Sequence, residues 1–235
     1  MGFAVVVHSL AMIVIVLRAK ELVWDMEVKK GALIIPLPLR NGGTQAAILG
    51  LVKKQVDDKT DFLITGLKEN IADALFEEMG SLNEESALAR HFNIMSAMKV
   101  DEALYREKFE DLINQIWLNF FSEMDASHVT EPSGEVSEEI DILSRRVANH
   151  YKVLIQETRF RFQTLLKRDV DDHPLMPKFY YKCFWQALET LPLSYEERSF
   201  ILPLFHRFVM DRYGQILATA NRTLIDLKVD ITVAP

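Results

Sequence analysis

The last quarter of the chain decides the fold class. Residues 173–235 read HPLMPKFYYKCFWQALETLPLSYEERSFILPLFHRFVMDRYGQILATANRTLIDLKVDITVAP. Apolar residues recur in this stretch at intervals of three and four, the spacing that places them on one side of a helix. Two such runs are joined by a short turn, and no catalytic motif interrupts them. The stretch therefore predicts two amphipathic helices that pack against other helices or dock on a partner.

Local signals indicate where these two helices begin. Pro177 suits the first turn of a helix, where its missing N–H would have no partner in any case. Ser194 and Glu197 have the spacing of a capping box. We therefore expect a helix that begins at Pro177 and is ended by Pro192, followed by one long helix that begins at Ser194 and is kinked by Pro203.

The part of the chain before this stretch shows the same helical period. Breaks are expected near residues 57–58 and near residues 99–102, and Ser137 is expected to cap the last of these helices. The fold class we predict is all-α, a bundle of long antiparallel amphipathic helices. The predicted helices cover residues 45–79, about forty residues after a capping-box pattern at residues 81–84, and residues 137–168.

Composition divides the chain into segments. The stretch 125–136 combines serine, proline, glycine and acidic residues with almost no apolar content, so we expect a mobile acidic linker there. The helical regions on either side of it are expected to pack together as one domain. The segments are an atypical apolar N-terminal segment at 1–43, a helical region at 44–124, the linker at 125–136 and a second helical region at 137–235.

The N-terminal segment does not fit the rest of the chain. Residues 3–17 are apolar and uncharged, but a helix that spans a bilayer needs about 20 such residues. Residues 32–39 form a second apolar run that contains two prolines and cannot be a regular helix. Three interpretations stay open: a wrongly assigned start whose residues pack little, an irregular or short-strand segment on the helical body, and a membrane anchor.

Composition also excludes several classes of function. The net charge of −7 argues against a general nucleic-acid binder, which needs a basic surface. Cys183 is the single cysteine, so the chain cannot form an internal disulfide or a cysteine-rich zinc site. We expect a cytoplasmic protein, and the alternative is membrane association through residues 3–17 alone.

No motif for a metal or a reactive nucleophile is found. The six histidines are far apart in the sequence, and none pairs with another at helical spacing, so we expect no metal site. Glu-x-x-His does not occur, which excludes the carboxylate-bridged di-iron bundle. Cys183 lies on the apolar side of its helix, which indicates a buried and inert thiol. We therefore expect no cofactor and no catalytic residue.

Two groups of side chains suggest binding. Arg159 and Arg161 alternate with Phe160 and Phe162, a pattern that could hold phosphate or stack on nucleotides. Residues two apart point in different directions on a helix, so we expect one phenylalanine inside and the arginines outside.

The second group surrounds the expected kink at Pro203. It consists of Phe205, His206, Arg207, Arg212 and Tyr213. We expect the histidine and the arginines on the solvent-exposed side of the helix and the two aromatic residues in the core. The alternative is a docking groove, in which arginine and tyrosine are common anchors.

Two blocks of sequence resemble a known family. The first block is Asp73-Ala-Leu-Phe76 with Asn83-Glu-Glu and Arg90-His-Phe-Asn-Ile-Met-Ser-Ala-Met98. The second block is His173-Pro-Leu175, Phe179 to Leu191, Leu204-Phe-His-Arg207 and Tyr213-Gly214. In order and spacing the two blocks resemble the N-terminal part of family 1631 of domains of unknown function, over residues 59–229. The chain departs from this family at His173, where the family usually has asparagine before Pro-Leu.

The resemblance implies a bacterial source and a chain that is part of a longer protein, because members of the family are typically large bacterial proteins. The family has no established activity, so the resemblance implies no catalytic residue.

Two functional hypotheses follow from the residues. The first is a non-catalytic interaction or scaffold domain that packs on a protein partner or on the remainder of a longer parent chain. The alternative is a regulatory module that binds a small anionic ligand such as a nucleotide. Its candidate ligands are Arg159, Arg161, Arg207 and Arg212. We expect neither an enzyme nor a nucleic-acid partner.

Overall fold

The computed structural model describes residues 41–79, 85–122, 132 and 134–231. Within these residues the chain forms helices and no strand, which confirms the all-α class. The helical elements belong to one compact unit, Arg40–Pro235. The predictions for the N-terminal segment up to residue 40, for the capping box at residues 81–84 and for most of the linker lie outside the described residues.

The helices have the following bounds. They are α1 (Asn41–Met79), α2 (Glu85–Val100), α3 (Glu102–Phe121), α4 (Glu135–His150), α5 (Lys152–Leu166), α6 (Pro177–Leu188), α7 (Tyr195–Phe208) and α8 (Gly214–Asp226), with a short 3₁₀-helix at Met210–Arg212 between α7 and α8. Within the described part of the chain, no helix is both long enough and apolar enough to cross a membrane.

The first half of the body follows the predicted pattern with one difference. The break between α2 and α3 falls at Asp101, inside the predicted range. The expected break near residues 57–58 is wrong, because α1 runs through this position over 39 residues. Its inner side, which includes Val52, Val56 and Leu67, packs against α2, α7 and α8 and stays buried along the helix.

The predicted helix over residues 137–168 is wrong as a single element. Gly134, with a φ of 78° that favours glycine, precedes α4, so the helix begins at Glu135 and Ser137 is not its cap. The backbone leaves helical geometry at Tyr151, where φ is −103° and ψ is 23°, and α5 then continues to Leu166. The Tyr151 hydroxyl donates to the carbonyl of Asp211 at 2.6 Å, so this junction is tied to a distant turn.

The start signals near the C-terminus are confirmed. Pro177 is the first residue of α6, which ends at Leu188, before Pro192. Ser194 Oγ accepts a hydrogen bond from Glu197 N at 3.2 Å, and Glu197 Oε2 accepts one from Ser194 N at 2.7 Å, so the capping box is complete.

The long last helix is wrong as predicted. Pro203 lies inside α7, but the helix ends at Phe208 and a new one begins at Gly214. The interruption lies where the chain passes the ring of Tyr151, and the contact of that ring with Gly214 leaves no room for a side chain on the first residue of α8.

The core is centred on α6, which packs against α3, α4 and α7. Its Phe184 stacks on Phe205 of α7, with ring centroids 3.9 Å apart and planes 9° from parallel. Phe109 of α3 meets both rings edge to face. Such pairs add about 0.5–1.5 kcal/mol each to the burial of the rings. The second half of the body is completed by α8, which lies against α1 and α5.

Candidate binding surfaces

The arginines of α5 are used to hold the fold. Arg159 Nε donates to the carbonyl of Val170 at 2.6 Å, and Arg159 Nη2 pairs with Asp171 Oδ1 at 2.9 Å. Arg161 is only 9% exposed, and its Nη1 donates to the carbonyl of Val229 at 2.7 Å. The prediction that both arginines lie outside is therefore wrong for Arg161, because the segment after α8 covers it.

The phenylalanines of α5 divide as predicted. Phe162 is fully buried, while Phe160 is 45% exposed. Phe162 meets Trp117 and Phe120 of α3 edge to face, so it belongs to the core.

The group around Pro203 also divides between core and surface. Phe205 and Tyr213 are fully buried, as expected, and so do not line an open groove. The Tyr181 hydroxyl and His206 Nδ1 share a hydrogen bond, and His206 Nε2 lies 3.3 Å from Asp211 Oδ1. Burial lowers the pKa of His206, and the carboxylate of Asp211 opposes this shift.

The remaining two arginines of this group are exposed, as predicted. Arg207 pairs with Glu77 of α1 at 3.4 Å, and Arg212 lies on the 3₁₀-helix. Arg159, Arg161 and Arg207 thus each bind a different part of the protein. The structure does not bring the arginines of α5 and those around α7 to shared partners.

Cys183 and His173 are two titratable residues of the core. Both are buried, and burial raises the pKa of the Cys183 thiol and lowers the pKa of His173 to about 4. His173 Nδ1 accepts a hydrogen bond from the backbone N–H of Leu175 at 3.2 Å. Among the described residues, no three histidine, cysteine, aspartate or glutamate side chains are placed to hold a metal ion.

A cleft of about 260 Å³ separates α1 from α3. Its apolar lining consists of Ile64, Phe109 and Ile113, and its polar lining is mainly acidic. Helical periodicity does not reveal this cleft, because its acidic residues on α1 give the pattern of a helix break and the lining residues on α3 follow about fifty positions later. The i, i+4 spacing of Asp57 and Asp61 is the local signal that they share one side of α1.

The outer side of α2 is apolar. Leu88, Phe92 and Val100 are 53%, 71% and 76% exposed, respectively. The opposite side of the same helix is buried, with Ile94 and Met98 in the core. Single exposed apolar residues are common on protein surfaces, whereas an exposed apolar patch along one side of a packed helix is typical of an interaction surface. We call Leu88, Phe92 and Val100 the α2 face.

The fold and these surfaces define an all-helical domain with an apolar outer face and an acidic cleft. The family model for the N-terminal domain of DUF1631, a protein of unknown function, matches residues 44–228, from the first turn of α1 to just past α8. The chain therefore belongs to this family, as the resemblance of the two sequence blocks predicted. Neither a curated protein nor a solved structure matches the chain.

Proposed function

We propose that this domain is a non-catalytic interaction module that binds an acidic amphipathic helix on its α2 face. The observation that carries the proposal is the exposure of Leu88, Phe92 and Val100 on a helix whose other side is fixed in the core. Burial of a large apolar side chain contributes about 1.5–3 kcal/mol, so three of them can supply most of the energy of a moderate complex.

The charges around the α2 face favour an acidic partner. Residues 88–100 contain Arg90 and Lys99, both exposed, and no aspartate or glutamate. Glu196 and Glu197 of α7 lie beside Arg90 and Phe92 and offset the charge of Arg90, so the preference for an acidic partner depends on Lys99. Complementary charge at the edge of an apolar contact selects the partner and its orientation and accelerates association.

The α2 face is also held rigid, which lowers the entropic cost of binding. Asn93 Nδ2 donates to Glu197 Oε1 at 2.7 Å, and Glu197 is itself part of the capping box of α7. His91, on the inner side of α2, packs edge to face against Phe200 of α7. These contacts fix α2 to α7 on either side of its exposed row.

The absence of catalysis is part of the proposal. Cys183 is buried and its raised pKa keeps the thiol protonated, which removes it as a nucleophile. His173 is buried with Nδ1 occupied by a backbone donor, which makes it a poor general base for a bound substrate. The family resemblance and the single cysteine favour a bacterial cytoplasmic protein.

A photo-crosslinking residue in place of Phe92 tests the proposal in cells. We expect it to capture a helical segment rich in aspartate, glutamate and leucine, which mass spectrometry of the crosslinked peptide identifies. A segment of the same polypeptide would place the helix in the remainder of the parent chain, and a segment of another protein would make it a separate partner.

The matched control is the same crosslinker at Val153, an apolar side chain of α5 that is 67% exposed. Phe92→Asp should abolish capture by a crosslinker at position 88, while Val153→Asp should leave it unchanged. Equal crosslinking at positions 92 and 153, or capture of a segment that is neither helical nor acidic, would refute the proposal.

A further inference from the structure

We propose that the outer side of α4 and α5 binds an anionic membrane surface. This side carries three exposed apolar residues with four exposed cations around them. We call it the basic face, and its residues are Ile142, Val153, Phe160, Arg145, Arg146, Lys152 and Lys167. It lies on other helices than the α2 face, and the proposal does not depend on the function assigned to that face. A lipid surface supplies no peptide to a crosslinker at Val153, so the control described above is unaffected.

The apolar residues of the basic face form one row. Although the backbone angles change at Tyr151, the i to i−4 hydrogen bonds continue across this junction, with lengths of 3.0 Å into it and out of it. Val153 follows Ile142 by eleven residues and precedes Phe160 by seven, which are close to three and two helical turns. The three side chains therefore lie on the same side, over a length of about 27 Å. They are 46%, 67% and 45% exposed in chain order.

The basic face concentrates positive charge in an otherwise acidic chain. Residues 142–168 contain seven arginines and lysines and one acidic residue, whereas the rest of the chain contains 20 basic and 33 acidic residues. The acidic residue, Glu157, is only partly exposed. Arg159, Arg161 and Arg168 donate to backbone carbonyls and hold the fold. The other four cations are those of the basic face.

The cations of the basic face are not neutralised by the protein itself. Within the described part of the chain none of the four forms an ion pair, whereas Lys53, Arg106 and Lys178 each pair with a carboxylate. Arg145 Nε donates to the backbone carbonyl of Asp141 at 3.2 Å, a bond that leaves its charge in place.

One cation is partly offset by a neighbour. Asp211 raises the pKa of His206 and Arg146 lowers it, so both charges lie near that ring. Asp211 is exposed on the turn before α8, and it reduces the contribution of Arg146. Arg145, Lys152 and Lys167 therefore supply most of the attraction for an anion.

The packing of α4 and α5 favours a lipid surface over an acidic protein groove. The inner sides of both helices are fixed in the core, with Val147, Ile155 and Phe162 buried, so a groove cannot enclose them. A lipid surface needs only one accessible side. Apolar side chains enter the boundary between headgroups and acyl chains, while lysine and arginine reach the phosphates. An apolar row with cations around it is typical of helices that lie on membranes.

The net charge of −7 does not prevent this contact. Salt screens charges that lie more than about 10 Å from the membrane at 0.1 M ionic strength, so the cations nearest to the lipid decide the attraction. The acidic remainder of the chain is expected to point away from the surface, which fixes the orientation of the bound protein.

Sedimentation of the whole chain with lipid vesicles tests the proposal. Vesicles of phosphatidylcholine alone are compared with vesicles that also contain phosphatidylglycerol, which is anionic. We expect at least tenfold tighter binding to the anionic vesicles, and a loss of at least tenfold between about 0.1 M and 0.5 M salt. Equal binding to both kinds of vesicle would overturn the proposal, because apolar insertion by residues 3–17 needs no anionic lipid.

Charge variants decide whether the basic face is the site. Lys152→Gln combined with Lys167→Gln should weaken binding to the anionic vesicles at least tenfold. Lys54→Gln combined with Lys108→Gln is the matched control, because it removes the charges of two exposed lysines on α1 and α3. Circular dichroism melts confirm that both variants are folded. An equal loss in the two variants would show that net charge, and not the basic face, controls binding.

A fluorescent label shows which side of the protein meets the lipid. Cys183 is buried, so a maleimide of nitrobenzoxadiazole attaches at an introduced surface cysteine. Val153→Cys on the basic face and Val100→Cys on the α2 face are a matched pair, since these valines are 67% and 76% exposed. Anionic vesicles should increase the emission of the label at position 153 and leave it unchanged at position 100. An increase at both positions, or at position 100 alone, would overturn the proposal.

The same surface could instead serve a protein partner, and the vesicle experiment separates the two cases. No binding to any vesicle, together with capture of an acidic polypeptide by a crosslinker at Phe160, would overturn the membrane surface and assign the basic face to that polypeptide.

Discussion

The ring of Tyr151 covers the α-carbon of Gly214 so closely that a β-carbon there would lie 2.6 Å from Tyr151 Cε1. Tyr151 is the junction between α4 and α5, and Gly214 is the first residue of α8. The Tyr151 hydroxyl is fixed by its hydrogen bond to the carbonyl of Asp211, so the ring cannot move away without losing that bond. Gly214 is therefore required for its missing side chain, and not for an unusual backbone angle.

Gly214→Ala should destabilise the protein by about 1–3 kcal/mol, because the added methyl group must displace an anchored ring. The higher helix propensity of alanine would by itself stabilise the protein by about 1 kcal/mol at most, so it opposes this loss. Urea unfolding followed by circular dichroism measures the difference. Gly66→Ala in α1 is the matched control. A β-carbon there meets no atom within 4 Å among the described residues, so stability should rise. Equal effects of the two substitutions would contradict the steric explanation.

His173 should make the protein sensitive to mild acid. Its pKa is about 4 in the folded state, because burial disfavours the charged ring, and 6.5 in the unfolded chain. The unfolded state therefore binds the proton first as the pH falls, and stability drops between pH 6.5 and pH 4. A shift of about 2.5 units corresponds to about 3 kcal/mol of unfolding free energy.

His173→Asn should remove this part of the acid sensitivity. An asparagine Oδ1 can accept the N–H of Leu175 as His173 Nδ1 does, so the backbone contact is kept. Denaturant unfolding at pH 7 and at pH 4.5 gives the comparison. The free-energy loss between the two pH values should be smaller in His173→Asn than in the wild-type protein, and an unchanged loss would show that other groups cause it.

Arg161→Met should destabilise the protein more than Arg159→Met does. Removal of Arg161 leaves the carbonyl of Val229 without its donor in a buried setting, which costs about 1–3 kcal/mol. Arg159 also donates to a backbone carbonyl, that of Val170, but this bond is only partly buried, so water can replace the lost donor. Its ion pair with Asp171, whose side chain is 93% exposed, contributes little. Thermal unfolding of the two variants ranks the effects, and the reverse order would show that the contact with Val229 is unimportant.

Nucleotides should not stabilise the protein through its arginines. Arg159, Arg161 and Arg207 already bind separate acceptors, at Val170 and Asp171, at Val229 and at Glu77. A ligand specific for the folded state raises the unfolding temperature, and the stabilisation grows with the logarithm of its concentration once this exceeds Kd. A thermal-shift series with ATP, GTP and cyclic nucleotides should match a sulfate series of equal ionic strength. A larger shift with any nucleotide, lost in Arg207→Ala, would restore the anionic-ligand hypothesis.

The features that the sequence predicted are those that depend on neighbouring residues. The helical class, the start of α6 at Pro177 and the capping box at Ser194 depend on patterns within four positions along the chain. The buried state of Cys183 and Phe162 likewise follows from their place on an apolar side. These local rules are strong in a protein built of helices, because each helix satisfies its backbone hydrogen bonds within itself.

The features that were missed depend on distant residues. The break between α7 and α8 lies at the contact of Gly214 with Tyr151, which is 63 positions away in the sequence. The burial of Arg161 depends on the carbonyl of Val229, 68 positions away. The acidic cleft forms only where α1 and α3 lie side by side. The helical spacing of residues along the chain does not show which distant residues come into contact.

The central position of α6 has a consequence for how the domain can be divided. The helix belongs to the second half of the chain, yet it packs on α3 from the first half, and α8 likewise packs on α1. A polypeptide opened between Ser122 and Gly134 would give two fragments, each with an incomplete set of aromatic rings. Each would need the other to cover those rings, so mixing them should regenerate the native core. The domain is thus suited to complementation as a split protein, with assembly of the two fragments reported by the change in tryptophan fluorescence as Trp117 and Trp185 become buried again.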